Sequence, residues 1–358
     1  NYMTTLIIPC SGKSTRFPSI KPKWLYTHPN GKLMIERAIE NYLPNKKIKK
    51  TIITITKEID DRYDAKFILN QVFKDKVKIL VLNHSTDSAS QTVYKTIINL
   101  KIKGQILVKD CDNYFRIDPN LNLQNKNFVM YCDIKKNPEI RNIHQKSFLI
   151  TNTKKQLINI EEKKIVSDKI CVGLYSFKST KDFIIHYKHC HKKILLKETY
   201  VSHIVKSMIT DNQLFLAYEV QNYEDYGSFV DWLRIRKNYR TFFVDIDGVI
   251  FLNKGQFGRK NWNSKNIIIK ENVNILKKLN HQNTEIIFTS SRPELYRRRL
   301  ITELKKIGFK DFKLLLGLNH GQRIIINDYA ISNPNPSAAS LNITRNSNQL
   351  KDLIDSLH

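Results

Sequence analysis

The chain has 358 residues, 41% of them hydrophobic, enough for two domains of ordinary size with packed cores. It carries 60 Lys and Arg against 33 Asp and Glu, a formal net charge of +27. No apolar run approaches the roughly 18 residues of a membrane-spanning helix. The start, Asn1-Tyr2-Met3, lacks the basic segment and apolar core of a secretory signal, so a cytoplasmic protein is expected.

The positive excess is mostly Lys, spread along the whole chain among Asn and Ile. No basic run is interleaved with aromatics for base stacking. A solvated basic surface that attracts nucleotide anions is expected, rather than a nucleic-acid partner or a membrane. The cysteines (Cys10, Cys111, Cys132, Cys171 and Cys190) are scattered, with no CxxC, which predicts reduced thiols and no disulfide framework. The composition is compatible with a homo-oligomer.

Residues 3–237 alternate strand and helix patterns. Thr5–Ile8, Thr51–Ile55 and Lys78–Leu82 read as strands, and Lys32–Ile39 and Gln91–Leu100 as helices. A second series follows: Thr241–Val244 as strand, Asn272–Leu279 as helix, Glu285–Phe288 as strand, Leu295–Ile307 as helix and Arg323–Ile326 as strand. This predicts an α/β protein of two Rossmann-like, mostly parallel-sheet domains, 3–237 and 238–358. Residues 332–337 read as a loop.

Two acidic pairs end short apolar runs. Asp110-Cys111-Asp112 follows Ile106-Leu107-Val108, and Asp245-Ile246-Asp247-Gly248 follows Phe242-Phe243-Val244. Carboxylates at strand ends are well placed to hold Mg2+ against a phosphate. Near the first pair, the segment Ser11-Gly12-Lys13-Ser14-Thr15-Arg16 after the first strand has small residues that let backbone N–H groups approach a polyphosphate. Lys13 and Arg16 can neutralise it.

With Lys21-Pro22-Lys23-Trp24-Leu25 and Gly31-Lys32 downstream, this stretch resembles the nucleotide-sugar pyrophosphorylase family of sugar-phosphate nucleotidyltransferases. Gly12, Thr15, Arg16, Pro22, Lys23, Leu25, Gly31 and Lys32 fall in register with its hallmark, whereas Ser14 replaces a usual Gly. Further pieces follow in order. Leu82 to Val93 is similar to the loop that meets the base, with Ser88 in place of Gly. Glu162-Lys163 is similar to the acceptor-phosphate pair, Gly173-Leu174-Tyr175 to the strand after it, Glu198-Thr199-Tyr200 to the acceptor loop, and Asp225-Tyr226-Gly227-Ser228 to the late metal motif.

The resemblance implies a GT-A-like domain in which Ser11 to Thr15, Thr86, Ser88, Ala89 and Ser90 bind the nucleotide. Lys23 and Arg16 are its catalytic cations, and Glu162, Lys163, Glu198 and Tyr200 its acceptor contacts. Asp110, Asp112 and Asp225 are its Mg2+ ligands, Asp112 foremost. The run Asp110-Cys111-Asp112-Asn113-Tyr114 resembles the choline-phosphate cytidylyltransferase branch, which implies CTP and a small phosphorylated sugar, polyol or choline-type acceptor.

In Asp245-Ile246-Asp247 the two carboxylates are two residues apart and serve one face of a strand end. One can attack phosphorus and the other protonate the leaving oxygen. The run resembles motif I of the haloacid dehalogenase (HAD) superfamily of phosphatases, with Asp245 as nucleophile and Asp247 as acid/base. Thr289-Ser290-Ser291-Arg292-Pro293 resembles motif II, with Ser290 favoured over Thr289 for phosphate. Asn327-Asp328 resembles motif IV, with Asp328 joining Asp245 and Asp247 on Mg2+. Motif III has no clean match; Arg323 is the nearest basic residue and Lys313 the fallback. The short spacing between Asp247 and Thr289 implies a capless domain.

Two other features read as structural. The cluster His186, His189, Cys190 and His191 lies on an expected helix, and Tyr296-Arg297-Arg298-Arg299 reads as a solvated helix face. Trp24, Trp232 and Trp262 read as packing residues. The expected function is bifunctional: nucleotidyl transfer with release of pyrophosphate, and phosphomonoester hydrolysis, in surface polysaccharide precursor synthesis. The alternatives are a transferase with an inactive HAD-like scaffold, or a protein that processes nucleic-acid ends.

Overall fold

The computed structural model describes residues 4–12, 17, 21–193, 198–255, 259–280, 283–328 and 337–357. The chain divides into two compact units, Asn1–Ile235 and Arg236–His358.

In the first unit the strands are β1 (Thr4–Pro9), β2 (Ile48–Thr56), β3 (Lys78–Leu82), β4 (Gln105–Lys109), β5 (Asn113–Arg116), β6 (Phe128–Asp133), β7 (Ser147–Thr151), β8 (Leu157–Glu162), β9 (Lys169–Phe177), β10 (Leu216–Glu219) and β11 (Gln221–Asp225). The main sheet runs β10-β6-β9-β4-β1-β2-β3, with β7 pairing β8 and β9. Its β4-β1-β2-β3 half is parallel, while β9 runs antiparallel to β4 and β6. A mixed α/β unit with a mostly parallel centre is the result.

Alternation along the strands explains why both faces are covered. Leu6 and Ile8 of β1 enter one apolar cluster and Ile7 the other. Leu107 of β4 likewise faces the first cluster, while Ile106 and Val108 face the second. The helix Ala89–Leu100 begins two residues before its periodic apolar pattern, because the Ser88 side chain accepts the Gln91 N–H at 3.2 Å and caps it. Beside the main sheet, β5 and β11 form an antiparallel ribbon. Phe17, Tyr26, Met34, Tyr114, Tyr226 and Trp232 pack in one cluster that contains Tyr114 of β5 and Tyr226, the residue after β11.

In the second unit β12 (Thr241–Asp245), β13 (Glu285–Thr289) and β14 (Lys313–Leu315) form a parallel sheet in that order. Ile246, Phe288, Leu300 and Leu304 are fully buried in its core. The expected strand Arg323–Ile326 is not formed: residues 322–328 have no regular structure, and Ile324, Ile325 and Ile326 are 75%, 53% and 93% exposed. An apolar run becomes a strand only when a neighbour completes its backbone hydrogen bonds, and here none does among the described residues. The loop expected at 332–337 lies outside the described residues except for Ser337.

Trp24 and Trp232 are fully buried and Trp262 packs against the second core. No helix among the described residues is long and apolar enough to cross a membrane. Phe288→Ala in the second core is expected to cost about 3–5 kcal/mol, read as a lower urea midpoint for that unit's transition.

Candidate active site

The first site forms where β4 ends. Lys109 closes the strand with its side chain fully buried. Its ammonium donates to the carbonyls of Asp110 at 2.7 Å and Asn113 at 3.2 Å, and to Asn113 Oδ1 at 2.5 Å. The turn Asp110-Cys111-Asp112 is thereby tied to a buried cation, whose pKa burial pushes down to about 8. The Asp110 N–H donates to the Gly173 carbonyl at 2.8 Å. Gly173 has φ +70°, and a Cβ there would lie 2.1 Å from Asp110 Oδ2; only glycine lets β9 pass this carboxylate. Burial first, and the Asp112 charge second, raise the Asp110 pKa to about 6.

Asp112 and Asp225 converge across the β5–β11 ribbon. Asp225 is opposite Asn113 in the ladder, and the Tyr226 N–H donates to the Asp112 carbonyl at 2.9 Å. The Gly227 N–H holds Asp225 Oδ1 at 2.9 Å. A Cβ on Gly227 would lie 3.0 Å from Asp225 Oδ1, 3.6 Å from Lys146 Nζ and 3.7 Å from Asp112 Oδ2.

Each carboxylate has a lysine partner. Lys23 Nζ reaches Asp112 Oδ2 at 2.5 Å, presented by a 3-10 turn whose Trp24 and Leu25 are buried. Lys146 Nζ lies 2.5 Å from Asp225 Oδ2, yet that buried oxygen receives no aligned hydrogen bond.

This donor set suits Mg2+. The cation takes one or two carboxylates and draws its remaining oxygens from substrate phosphates and water, and Asp112 and Asp225 both lie beside the space at Gly227. Among the described residues no group of three or more His, Cys, Asp or Glu can hold a metal unaided, so the substrate would have to complete the coordination.

The nucleotide side is described only in part. Lys13, Ser14, Thr15 and Arg16 lie outside the described residues. The Ser11 and Thr86 hydroxyls meet at 2.5 Å, and Thr92 bonds to both, 2.7 Å from Thr86. Gly12 has open space where a side chain would be. Ser88 caps its helix and Ala89 opens it. Ser90 departs from the expected base contact: it is fully buried and its hydroxyl donates to the Thr199 carbonyl at 2.5 Å. Its place on the inward face of the helix makes it a packing residue.

At the far end, Glu162 accepts from the Ser147 hydroxyl and, at 2.6 Å, from the Ser202 hydroxyl. Lys163 has φ +56°, and its Nζ donates to Tyr200 Oη at 2.5 Å. Glu198 is exposed; it hydrogen-bonds the Tyr200 hydroxyl, adding to the desolvation that raises the Tyr200 pKa. The Lys163 N–H donates to the Lys146 carbonyl at 3.0 Å. Lys109 and Lys146 were missed by sequence reasoning, since neither sits in a recognisable motif; Lys109, placed directly before the acidic pair at the end of an apolar strand, was the readable signal.

In the second unit Asp245 ends β12 opposite Thr289, and Gly248, with φ +97°, makes the turn beyond. Asp247 is gripped by Arg292, whose Nε and Nη2 donate at 3.0 and 2.6 Å, and by the Ser290 hydroxyl at 3.2 Å. Arg292 is buried, so this is a desolvated two-point pair. Desolvation first, then the Asp247 charge, push the Asp245 pKa up to about 6, while Arg323 and Arg345 pull it down; the residue still reaches solvent at the strand end, so the Asp247 charge is the firmer cause of the upward shift.

Arg323 therefore stands close enough to act on Asp245, and it also donates to the Ser291 hydroxyl at 3.1 Å. Lys313 does not serve: it pairs with Glu285 at the opposite end of the strands. Asp328 is not gathered with the acidic pair among the described residues. It is exposed in the unpaired 322–328 segment, and no described cluster of three acidic groups includes it, because the strand that would carry it to Asp245 is absent. Thr289 and Ser290 are both buried; Ser290 is placed at the site by its hydroxyl, which reaches Asp247 Oδ2 at 3.2 Å.

The histidine cluster holds no metal site among the described residues: His186 bonds Ser207 at 2.9 Å, and Cys190 donates to the His203 carbonyl. Arg299 binds the carbonyls of Trp262, Asn263 and Ser264, so this part of the basic run serves packing.

No protein-family model and no curated protein sequence matches the chain. Among solved structures, it is similar to the nucleoside-diphosphate-sugar pyrophosphorylase of Vibrio cholerae RC9, with TM-score 0.55 and 16% identity over 65% of this chain and 99% of that one. The fold over that span is the nucleoside-diphosphate-sugar pyrophosphorylase fold. The inositol-1-phosphate CTP transferase of T. maritima is also similar, with TM-score 0.48 and 11% identity over 66% of this chain and 96% of that one.

Two outcomes follow from this geometry. Gly173→Ala is expected to destabilise the first unit by about 1–3 kcal/mol or more, since strain at positive φ adds to the clash with Asp110; thermal unfolding reads it. In a carboxyl-resolved NMR titration, Asp245 is expected to lose its proton near pH 6 and not near 4. The carboxylate form is then full only above that pH, and Arg323→Ala moves the midpoint further up.

Proposed function

We propose that the first unit is a Mg2+-dependent nucleotidyltransferase acting on a small phosphorylated acceptor. The observation that carries this reading is the convergence of Asp112 and Asp225, each with a lysine, around Gly227, within a pyrophosphorylase fold.

In the reaction, an oxygen of the acceptor phosphomonoester attacks the α-phosphorus of the triphosphate. The bond from that phosphorus to the bridging oxygen breaks, and pyrophosphate leaves with the electron pair. The attacking phosphate is already anionic, so no strong base is needed, and catalysis rests on positioning and charge neutralisation. Asp112 and Asp225 would hold Mg2+, which supplies Lewis-acid neutralisation of the phosphate oxygens when bound. Lys23 sits on Asp112 and would stabilise charge growing at the α-phosphate. Arg16 and Lys13 would grip the triphosphate, and Lys163 with Tyr200 would orient the acceptor. Asp110, with its raised pKa and its place against Gly173, supports the turn and is the weaker ligand.

CTP is the nucleotide of choice, on the Asp110-Cys111-Asp112-Asn113-Tyr114 resemblance. A sugar, polyol, glycerol or choline phosphate would accept, in the synthesis of surface polysaccharide precursors. The setting would be the cytoplasm, where five buried free thiols stay reduced.

The second unit is proposed as a HAD-type phosphatase, with Asp245 attacking phosphorus, Asp247 as acid/base, and Ser290 and Arg323 on the phosphate. A specific observation favours the rival reading of a weak or inactive scaffold: Asp328 is not delivered to the carboxylate pair, and Asp247 is held at two points by Arg292.

A screen of four nucleoside triphosphates against phosphorylated acceptors, following pyrophosphate, tests the first reading. Turnover is expected with CTP and Mg2+ and is abolished by chelation. Asp112→Asn and Asp225→Asn each reduce it by about 100-fold or more; no turnover with any pair overturns the reading. Asp245→Asn is expected to stop phosphate release and leave pyrophosphate release unchanged, and an unchanged phosphate rate removes the phosphatase.

A further inference from the structure

Lys146 is the cation of the first site that this chemistry leaves unused. Its ammonium and Asp225 Oδ2 lie 2.5 Å apart with both side chains largely buried, yet the oxygen receives no aligned hydrogen bond. A divalent cation on Asp225 would compete with the ammonium for that oxygen. The Lys146 backbone belongs to the acceptor end of the site, because its carbonyl accepts the Lys163 N–H at 3.0 Å and Lys163 in turn reaches Tyr200. The side chain thus spans from the acceptor end to the carboxylates. The point 3.6 Å from its Nζ that Gly227 leaves free is also 3.7 Å from Asp112 Oδ2.

We propose that Lys146 is an acceptor-phosphate ligand: it neutralises Asp225 until a divalent cation binds there, then turns its ammonium to the attacking phosphate. This rests on the nucleotidyltransferase reading. A largely buried ammonium cannot be left without an anion, so once Asp225 binds a metal, Lys146 needs a new partner. The incoming phosphate is the anion arriving beside it. That phosphate must also approach a triphosphate of the same sign, and a lysine between them offsets the repulsion.

Calorimetry on the full chain tests this, with Mn2+, a non-hydrolysable CTP analogue bridged by methylene between the α- and β-phosphorus, and inorganic phosphate as the acceptor probe. Lys146→Met is expected to weaken phosphate binding by about tenfold or more, the scale of one charged hydrogen bond, while analogue affinity stays within about threefold. Lys146→Arg is expected to recover most of the loss. Without nucleotide, Lys146→Met is expected to bind Mn2+ at least as tightly as the wild type, because a competitor for Asp225 is gone.

Unchanged phosphate binding in Lys146→Met, or equal losses for phosphate and analogue, overturns the role of Lys146 alone. Should Lys146→Met fail to fold, Lys146→Gln is held to the same outcomes. A wild type that binds no analogue with Mn2+ overturns the transferase reading and this inference with it.

Discussion

Crowded negative charge is the constraint that organises the first unit. Asp110, Asp112 and Asp225 gather at the ends of β4 and β11, where two like charges about 5 Å apart repel by about 3 kcal/mol at an effective dielectric near 20. Three lysines answer them. Lys109 is spent internally on the turn that carries the pair, Lys23 sits on Asp112 and Lys146 on Asp225. The three carboxylates can stand together because each has a cation beside it or beneath its turn. The same crowding gives Gly173 and Gly227 their roles, since a side chain at either would occupy the space the carboxylates need.

The second unit meets the same problem with arginines. Asp245 and Asp247 share one strand end, and Arg292, Arg323 and Arg345 surround them. The solution differs in kind. Arg292 is buried and binds Asp247 at two points, a geometry that orients a carboxylate firmly and makes it harder to release. Arg323 acts on Asp245 at longer range. The two carboxylates therefore have unequal environments.

Much of this could be read in the residues. The alternating strands and helices of the first unit and the acidic pairs at strand ends lie in short contiguous patterns, and local patterns follow the periods of strand and helix. The apolar run Ile324-Ile325-Ile326 shows the limit. By composition it is as good a strand as Ile286-Ile287-Phe288, yet one is in the sheet and the other exposed. A strand depends on a partner edge, and an edge is not a local property. Asp328 follows this unpaired run and is exposed with it.

Ser90 and Ser88 teach a finer lesson. Both belong to one run of small polar residues, but the first faces the interior and the second caps the helix. Which hydroxyl meets a ligand depends on the phase of the helix against the sheet. Residue types and spacing along the chain settled the α/β class and where carboxylates would end strands, because those follow from side-chain periodicity. The pairing of Lys146 with Asp225, of Lys109 with its turn and of Arg292 with Asp247 came only from folding. Each joins groups through space, and the energy of a charge depends on which opposite charge the fold brings beside it and on how much water it removes.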